Sequence, residues 1–295
     1  MRKHYFFLSA LFLLMTLLAA GQPMGKIVDQ NTVASKLMKR PVNYAVYLPP
    51  GYETAQRSYP VVYLLHGYTD DHNAWVQFGE VGRLADKAIA DGTIPPMVII
   101  MPDADSSWYI NAYDGKESYE DFFVQEFIPT IEKSYRIKAE KRYRGIAGLS
   151  MGGYGTLIYS LKYPHLFTAA APLSAAVFDD AAMKGMPEAT WERTFAQLYG
   201  RGLKGDSRMN DAWKKNSILN IVASTPADSL KKVRYWIDCG DDDFLIKGNC
   251  LLKIALTEKG VPHEFRIRDG AHTWTYWRTG LIDALAFIGD GFRQK

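Results

Sequence analysis

The chain has 295 residues, 47% of them hydrophobic and 13% aromatic, with 35 basic against 32 acidic side chains and a formal charge of +3. That length and apolar content exclude a disordered polypeptide and suffice for the core of one large domain. A charge this near balance gives no ground for a nucleic-acid or acidic-membrane partner.

The first residues are Arg2, Lys3 and His4, followed by an apolar run from Tyr5 to Leu18 and the small residues Ala19, Ala20 and Gly21. This three-part pattern predicts a signal peptide over residues 1–21 and a secreted or periplasmic chain from Gln22 onward. An uncleaved membrane anchor is the alternative for an apolar run of this length. Without Arg2 and Lys3 the charge falls to +1, 33 basic against 32 acidic side chains. The two cysteines, Cys239 and Cys250, can bridge in an oxidising compartment, or Cys239 can be a buried thiol closing an apolar run.

Residues 22–295 contain no repeat and no long linker, and are predicted to form a single domain. After an N-terminal hairpin ending at "NYAVYLPPGY", the strand candidates are "YPVVYLLHG", "PPMVIIMPD", "KRYRGIAGLS", "FTAAAPLSA", "VRYWIDCGDDD" and "HEFRIRDG". Each is a short apolar run stopped by Gly, Pro or Asp, the pattern of a strand buried on both faces. Helix-length stretches separate them at 80–91, 118–135, 152–163, 249–259 and 274–293. The alternation predicts an α/β fold, a mostly parallel sheet with helices on both faces. Pro129 is expected to kink or shorten the second helix. The interval of about 178–232, with "EATWERTFAQLYG" and "RMNDAWKKNSILNIVA", is predicted to be a small helical cap.

In "RGIAGLSMGGYG" a strand-like run meets a helix-like one at Ser150, inside Gly148-Leu149-Ser150-Met151-Gly152. A sharp turn here strains the central residue and brings chain segments together, so its flanks must lack a Cβ. The turn aims the hydroxyl outward at the carboxyl end of the sheet, beside a helix N-terminus that favours negative charge. A serine hydroxyl needs a base, and the base needs a carboxylate to orient it.

With the chain order serine, acid, histidine, His4, His66 and His72 drop out as the base. His165 falls past the far end of the helix after Ser150, and His263 at the amino end of the last strand. His272, after that strand, is the candidate base. The strand ending in Asp241, Asp242 and Asp243 places a carboxylate in reach. Position past the strand end favours Asp243, while the choice among the three stays open. No calcium-loop spacing accompanies them, so no metal is expected. An oxyanion requires preformed donors, assigned to the backbone N–H groups of Met151 and Tyr68.

These blocks, with Trp75 and "YEDFFVQEFIPTIEKSYRI", "CGDDDFL" and "GAHTWTYWRTGL", resemble in order those of the esterase D-like α/β hydrolases, and within them the feruloyl-esterase-type carbohydrate esterases of family 1. The resemblance spans nearly all of residues 40–290. It implies the α/β-hydrolase fold and a cofactor-free serine esterase. Ser150 would be the nucleophile, His272 the base, Asp243 the acid, and Tyr68 and Met151 the oxyanion-hole amides. The 178–232 interval exceeds that of compact feruloyl esterases.

Aromatic side chains crowd the same end, and Trp75, Trp108, Tyr109 and Trp274 are the candidate substrate contacts, with Trp277 nearby. Met183, Met186 and Trp191 are either acyl-pocket residues or cap core. The expected activity is hydrolysis of feruloyl or acetyl esters of plant cell-wall polysaccharide. An acyltransferase to a sugar hydroxyl, an S-formylglutathione-hydrolase-like esterase and a non-catalytic glycan-binding fold are the alternatives. The expected partner is a small-molecule or polysaccharide ester, with no nucleic acid and no stable membrane insertion after signal cleavage.

Overall fold

Eight runs rich in Val, Ile, Tyr and Ala pair into one sheet in the computed structural model, which describes residues 24–293. The signal peptide expected over residues 1–21 lies outside the described residues. The strands are β1 (Lys26–Ala34), β2 (Pro41–Leu48), β3 (Val61–Leu65), β4 (Val98–Pro102), β5 (Arg144–Leu149), β6 (Ala169–Leu173), β7 (Arg234–Gly240) and β8 (His263–Arg268). They lie in the order β1-β2-β4-β3-β5-β6-β7-β8. The pairs β1/β2 and β2/β4 are antiparallel, and all later pairs are parallel.

Strands β3 to β6 are buried along their whole length, as unbroken apolar runs require when both faces are covered. Side chains alternate between two cores: Val61, Tyr63 and Leu65 enter one, Val62 and Leu64 the other. The principal helices are α1 (Val81–Ala90), α2 (Met151–Lys162), α3 (Ile246–Glu258) and α4 (Trp274–Arg293). Helices α1 and α4 cover the Val62 face, with Val81, Ala85, Leu281, Leu285 and Ile288. Helices α2 and α3 cover the other face, with Leu157, Ile158, Leu252 and Leu256.

The helix expected over 118–135 is interrupted by a change of helical type. Pro129 has no N–H for the carbonyl of Gln125, and the chain widens into a π-helical turn, Phe123–Phe127, in which the Ile128 N–H reaches Phe123 O. Pro129 then stands in the first turn of the segment Ile128–Ser134, where its missing N–H costs nothing. Helix α3 begins at Ile246, earlier than the expected 249, because Asp243 turns the chain: its Oδ1 accepts the Leu245 N–H at 2.8 Å and its carbonyl accepts the Ile246 N–H at 2.9 Å.

Short helices fill the interval between β6 and β7. Among them Ile218–Ser224 packs on α2 and α3, and Asp180–Gly185, Glu188–Thr194 and Asp211–Asn216 join the same apolar core through Met183, Trp191 and Trp213. Met183 and Trp191 are fully buried, so they belong to the core. The buried Arg208 ties these segments together. It donates to the carbonyls of Met183, Met186 and Leu203 and lies over the Trp191 ring at 4.5 Å. Cys239, buried in β7, and Cys250 on α3 are free thiols, and burial pushes the Cys239 thiol up. No helix among the described residues is long and apolar enough to cross a membrane.

At the amino end of β5, Arg144 makes a two-point pair with Glu132, at 2.6 and 2.9 Å, and donates to Leu166 O at 2.6 Å. Both side chains are largely buried. Glu132→Ala strands the guanidinium and is expected to cost about 3–5 kcal/mol of stability, read from urea unfolding.

Candidate active site

The carboxyl end of β5 comes within reach of three other segments, and glycines make the approach possible. A Cβ on Gly152 would stand 2.4 Å from Leu65 O and 2.6 Å from His66 O. A Cβ on Gly148 would stand 2.6 Å from Gly152 O. Between them Ser150 takes φ 54° and ψ −115°, a conformation that costs a non-glycine residue about 1–3 kcal/mol. Backbone hydrogen bonds hold it there. Its N–H donates to Leu173 O at 2.9 Å, and its carbonyl accepts the N–H groups of Tyr154 and Ala176 at 3.0 and 3.1 Å.

The Ser150 hydroxyl lies 2.9 Å from His272 Nε2, and His272 Nδ1 lies 2.8 Å from Asp243 Oδ2. With Nδ1–H donating to the carboxylate, Nε2 is free to accept the serine proton. His272 retains 19% side-chain exposure while Asp243 has none, so the series runs from the surface inward. Burial by itself raises the Asp243 carboxyl. Hydrogen bonds from His272, the Leu245 N–H and Ser174 outweigh it and hold the group below the usual carboxylate range. Ser174 in turn accepts the Trp277 indole N–H at 3.0 Å, and the Trp277 ring meets His272 edge-on at 4.7 Å.

Asp241 and Asp242 stay exposed, and the Asp241 carboxylate accepts the N–H groups of Gly270 and Asp242. His263 opens β8 at the amino end, donating to Val261 O, and His165 is exposed beyond α2. His66 is structural: buried, it accepts the Ala104 N–H at 2.9 Å and donates to Gly67 O at 2.8 Å. Its burial lowers its pKa and keeps it neutral. The Met151 N–H opens α2. Gly67 lies against Ser150, its Cβ position 3.8 Å from Ser150 Cβ, and Tyr68 is the next residue.

The Esterase family model matches residues 35–288. The chain belongs to the Esterase family. A ferulic acid esterase structure is similar to it, with a TM-score of 0.78 and 33% identity, covering 92% of this chain and 99% of that one. An esterase of Mycobacterium tuberculosis is 29% identical over 247 residues, 78% of this chain and 52% of the relative. The endo-1,4-beta-xylanase/feruloyl esterase of Xylanibacter ruminicola is 37% identical over 147 residues, 48% of this chain and 20% of that protein. The chain thus spans about half the length of the mycobacterial relative and a fifth of the Xylanibacter one.

Not all of the expected aromatic contacts of this Esterase family chain lie open to a substrate. Trp75 is fully buried and donates its indole N–H to Leu65 O at 2.9 Å, bracing β3 from behind. Tyr109 is fully buried under Gly155, its hydroxyl on His66 O at 3.0 Å. Both are corrected to core residues: each spends its polar atom on the backbone of the turn. Trp108 is 5% exposed and sits among Tyr68, Tyr154, Phe178 and Phe195. Its indole N–H has no hydrogen-bond partner. Trp274 is half-buried, its ring 5.5 Å from that of Trp277 and 5.6 Å from that of the exposed Phe78.

Sequence reasoning missed Phe244, Phe78 and Ser174. Phe244 is 74% exposed and its ring lies 4.5 Å from that of His272. Beside it a recess of about 170 Å³ is lined by Val177, Phe178, Leu245 and Leu251 together with the ion-paired Asp179 and Lys247. A phenylalanine directly after Asp243, where a loop tip calls for polar residues, was the available signal.

Gly152→Ala is expected to yield little folded protein, because the clash is with backbone oxygens that cannot move aside; soluble yield and circular dichroism check this. Asp243→Asn is expected to lower Ser150-dependent turnover by roughly 10⁴-fold while the fold survives. The Asp243 carboxylate, depressed in the folded chain, contributes stability above its unfolded value of about 3.9. The urea-measured difference between parent and Asn variant should therefore shrink as pH falls through about 4 and below.

Proposed function

We propose that the chain is a serine carboxylic-ester hydrolase in which Ser150, His272 and Asp243 are the nucleophile, base and orienting acid. The observation that carries this reading is the hydrogen-bonded series at 2.9 and 2.8 Å, anchored on a serine in a strained turn at the carboxyl end of a parallel sheet. His272 Nε2 takes the hydroxyl proton as Oγ attacks the ester carbonyl carbon. The oxyanion meets the N–H groups of Met151 and Tyr68. The intermediate then collapses, the alcohol leaves with the proton from His272, and water enters by the same steps in reverse to release the acid. Asp243 keeps the imidazole in the required tautomer and stabilises its charged form.

For substrate, we favour feruloyl or acetyl esters of plant cell-wall polysaccharide. Similarity to a ferulic acid esterase and to a xylanase/feruloyl esterase supports this, as do the exposed Phe244, Phe78 and half-buried Trp274, on which flat rings can stack. The leader pattern of residues 1–21 supports a secreted or periplasmic location for such work.

Purified protein and its Ser150→Ala variant should be treated with a fluorophosphonate probe and assayed on 4-nitrophenyl acetate, methyl ferulate, acetylated xylan and S-formylglutathione. The parent is expected to label at Ser150 and to turn over the aryl acetate and at least one plant-wall ester, while the variant does neither. Absence of both labelling and turnover in the parent would remove the esterase reading, and turnover of S-formylglutathione alone would replace the substrate.

A further inference from the structure

Where the β1–β2 hairpin meets the loop that follows β3, a pocket of about 320 Å³ opens among Asp29, Asn31, Thr32, Asn43, His72 and Asn73. Its position follows from backbone irregularity. The register of β1 on β2 breaks between Val28 and Asn31, which lifts Asp29 and Gln30 out of the ladder, and it resumes with Asn31 opposite Tyr44 and Thr32 opposite Asn43. Those two side chains stand side by side on one face of the hairpin. The far wall is the end of the Gly67–Asn73 loop, held by a hydrogen bond from His72 Nε2 to Asp29 O at 3.2 Å.

Two atoms in that wall are buried without a hydrogen-bond partner, His72 Nδ1 and Asn73 Oδ1. His72 Nδ1 stops 3.6 Å from Asp103 Oδ2, beyond hydrogen-bond reach. Exchanging the oxygen and nitrogen of the Asn73 amide only moves the unpaired position from one atom to the other. The Asn73 amide position loses hydration on folding with no hydrogen bond in return, while His72 Nδ1 faces the Asp103 carboxylate, which raises the imidazole pKa.

We propose that this pocket holds a sugar residue of a neutral polysaccharide whose ester is presented to Ser150. The lining mixes acceptors, such as the Asp29 carboxylate, with groups that donate or do both, such as Thr32, Asn43 and His72. A hydroxyl, itself donor and acceptor, matches that mixture, whereas an anion meets Asp29 and a cation meets His72 when the imidazole is charged. The pocket is also linked to the reaction centre. His72 approaches Asp103, Asp103 approaches His66 Nε2 at 3.7 Å, and Gly67 beside His66 abuts Ser150. A glycan seated here contacts one end of the loop whose other end carries the Tyr68 N–H. The inference rests on the polysaccharide-ester reading above.

Calorimetric titration of the Ser150→Ala variant with xylohexaose, cellohexaose and mannohexaose tests it, repeated with Thr32→Ala or Asn43→Ala added. Both positions are exposed, and circular dichroism verifies folding. At least one hexasaccharide is expected to bind, each substitution to weaken it roughly 5- to 10-fold, and Thr32→Ser to restore it. In the Ser150-containing protein the same substitutions should raise KM for an esterified oligosaccharide and leave 4-nitrophenyl acetate kinetics unchanged. Failure of all three hexasaccharides to bind, or binding undiminished in both variants, overturns the proposal. Loss of aryl acetate turnover in the parent would instead strike at the esterase reading and leave the titration result standing.

Discussion

A methyl group on Gly152 would lie 2.4 Å from the carbonyl oxygen of Leu65, and this contact between the start of α2 and the end of β3 organises the candidate site. Because α2 can enter so close to the sheet, the residue between β5 and α2 has no relaxed conformation open to it. Ser150 is held at φ 54° with its hydroxyl toward His272. The local cost is about 1–3 kcal/mol. It is offset by the backbone hydrogen bonds that Ser150 makes to Leu173, Tyr154 and Ala176, all in elements packed for other reasons.

The electrostatics follow from the same packing. Asp243 can remain ionised without solvent exposure because three donors converge on it: His272, the Leu245 N–H and Ser174. Ser174 connects the carboxylate to Trp277, whose ring meets His272 edge-on, so orientation of the imidazole is shared between polar and aromatic contacts. Asp241 and Asp242, one and two residues earlier, have none of this support and stay in water. Position along the chain differs little among the three; burial separates them.

The core strands were legible because each is a continuous apolar run in a sheet covered on both faces, and α2 and α4 because a glycine-rich turn and a long amphipathic stretch mark them. Ser150 was legible for a related reason, since the need for small flanking residues is a backbone requirement written locally as Gly148 and Gly152. The aromatic residues were not. Trp75, Tyr109 and Trp274 carry similar rings, yet two brace the backbone of β3 and its following turn and one stays partly exposed. A ring is apolar enough to be buried and polar enough to be useful at a surface, so local pattern does not sort the two.

By itself, then, the amino-acid order determined the alternation of strands and helices, the strained serine turn and the short set of histidines and aspartates available to it. These are properties of neighbours, decided by sterics and hydrophobic period over a few residues. The folded chain alone decided that Asp243 points inward, that Phe244 lies exposed over His272, that the π-helical turn absorbs Pro129, and that the β1 bulge and the Gly67–Asn73 loop enclose a polar pocket. Each depends on which distant segments come into contact, and the free energy of burying or satisfying a group is set by those contacts and not by its position in the chain.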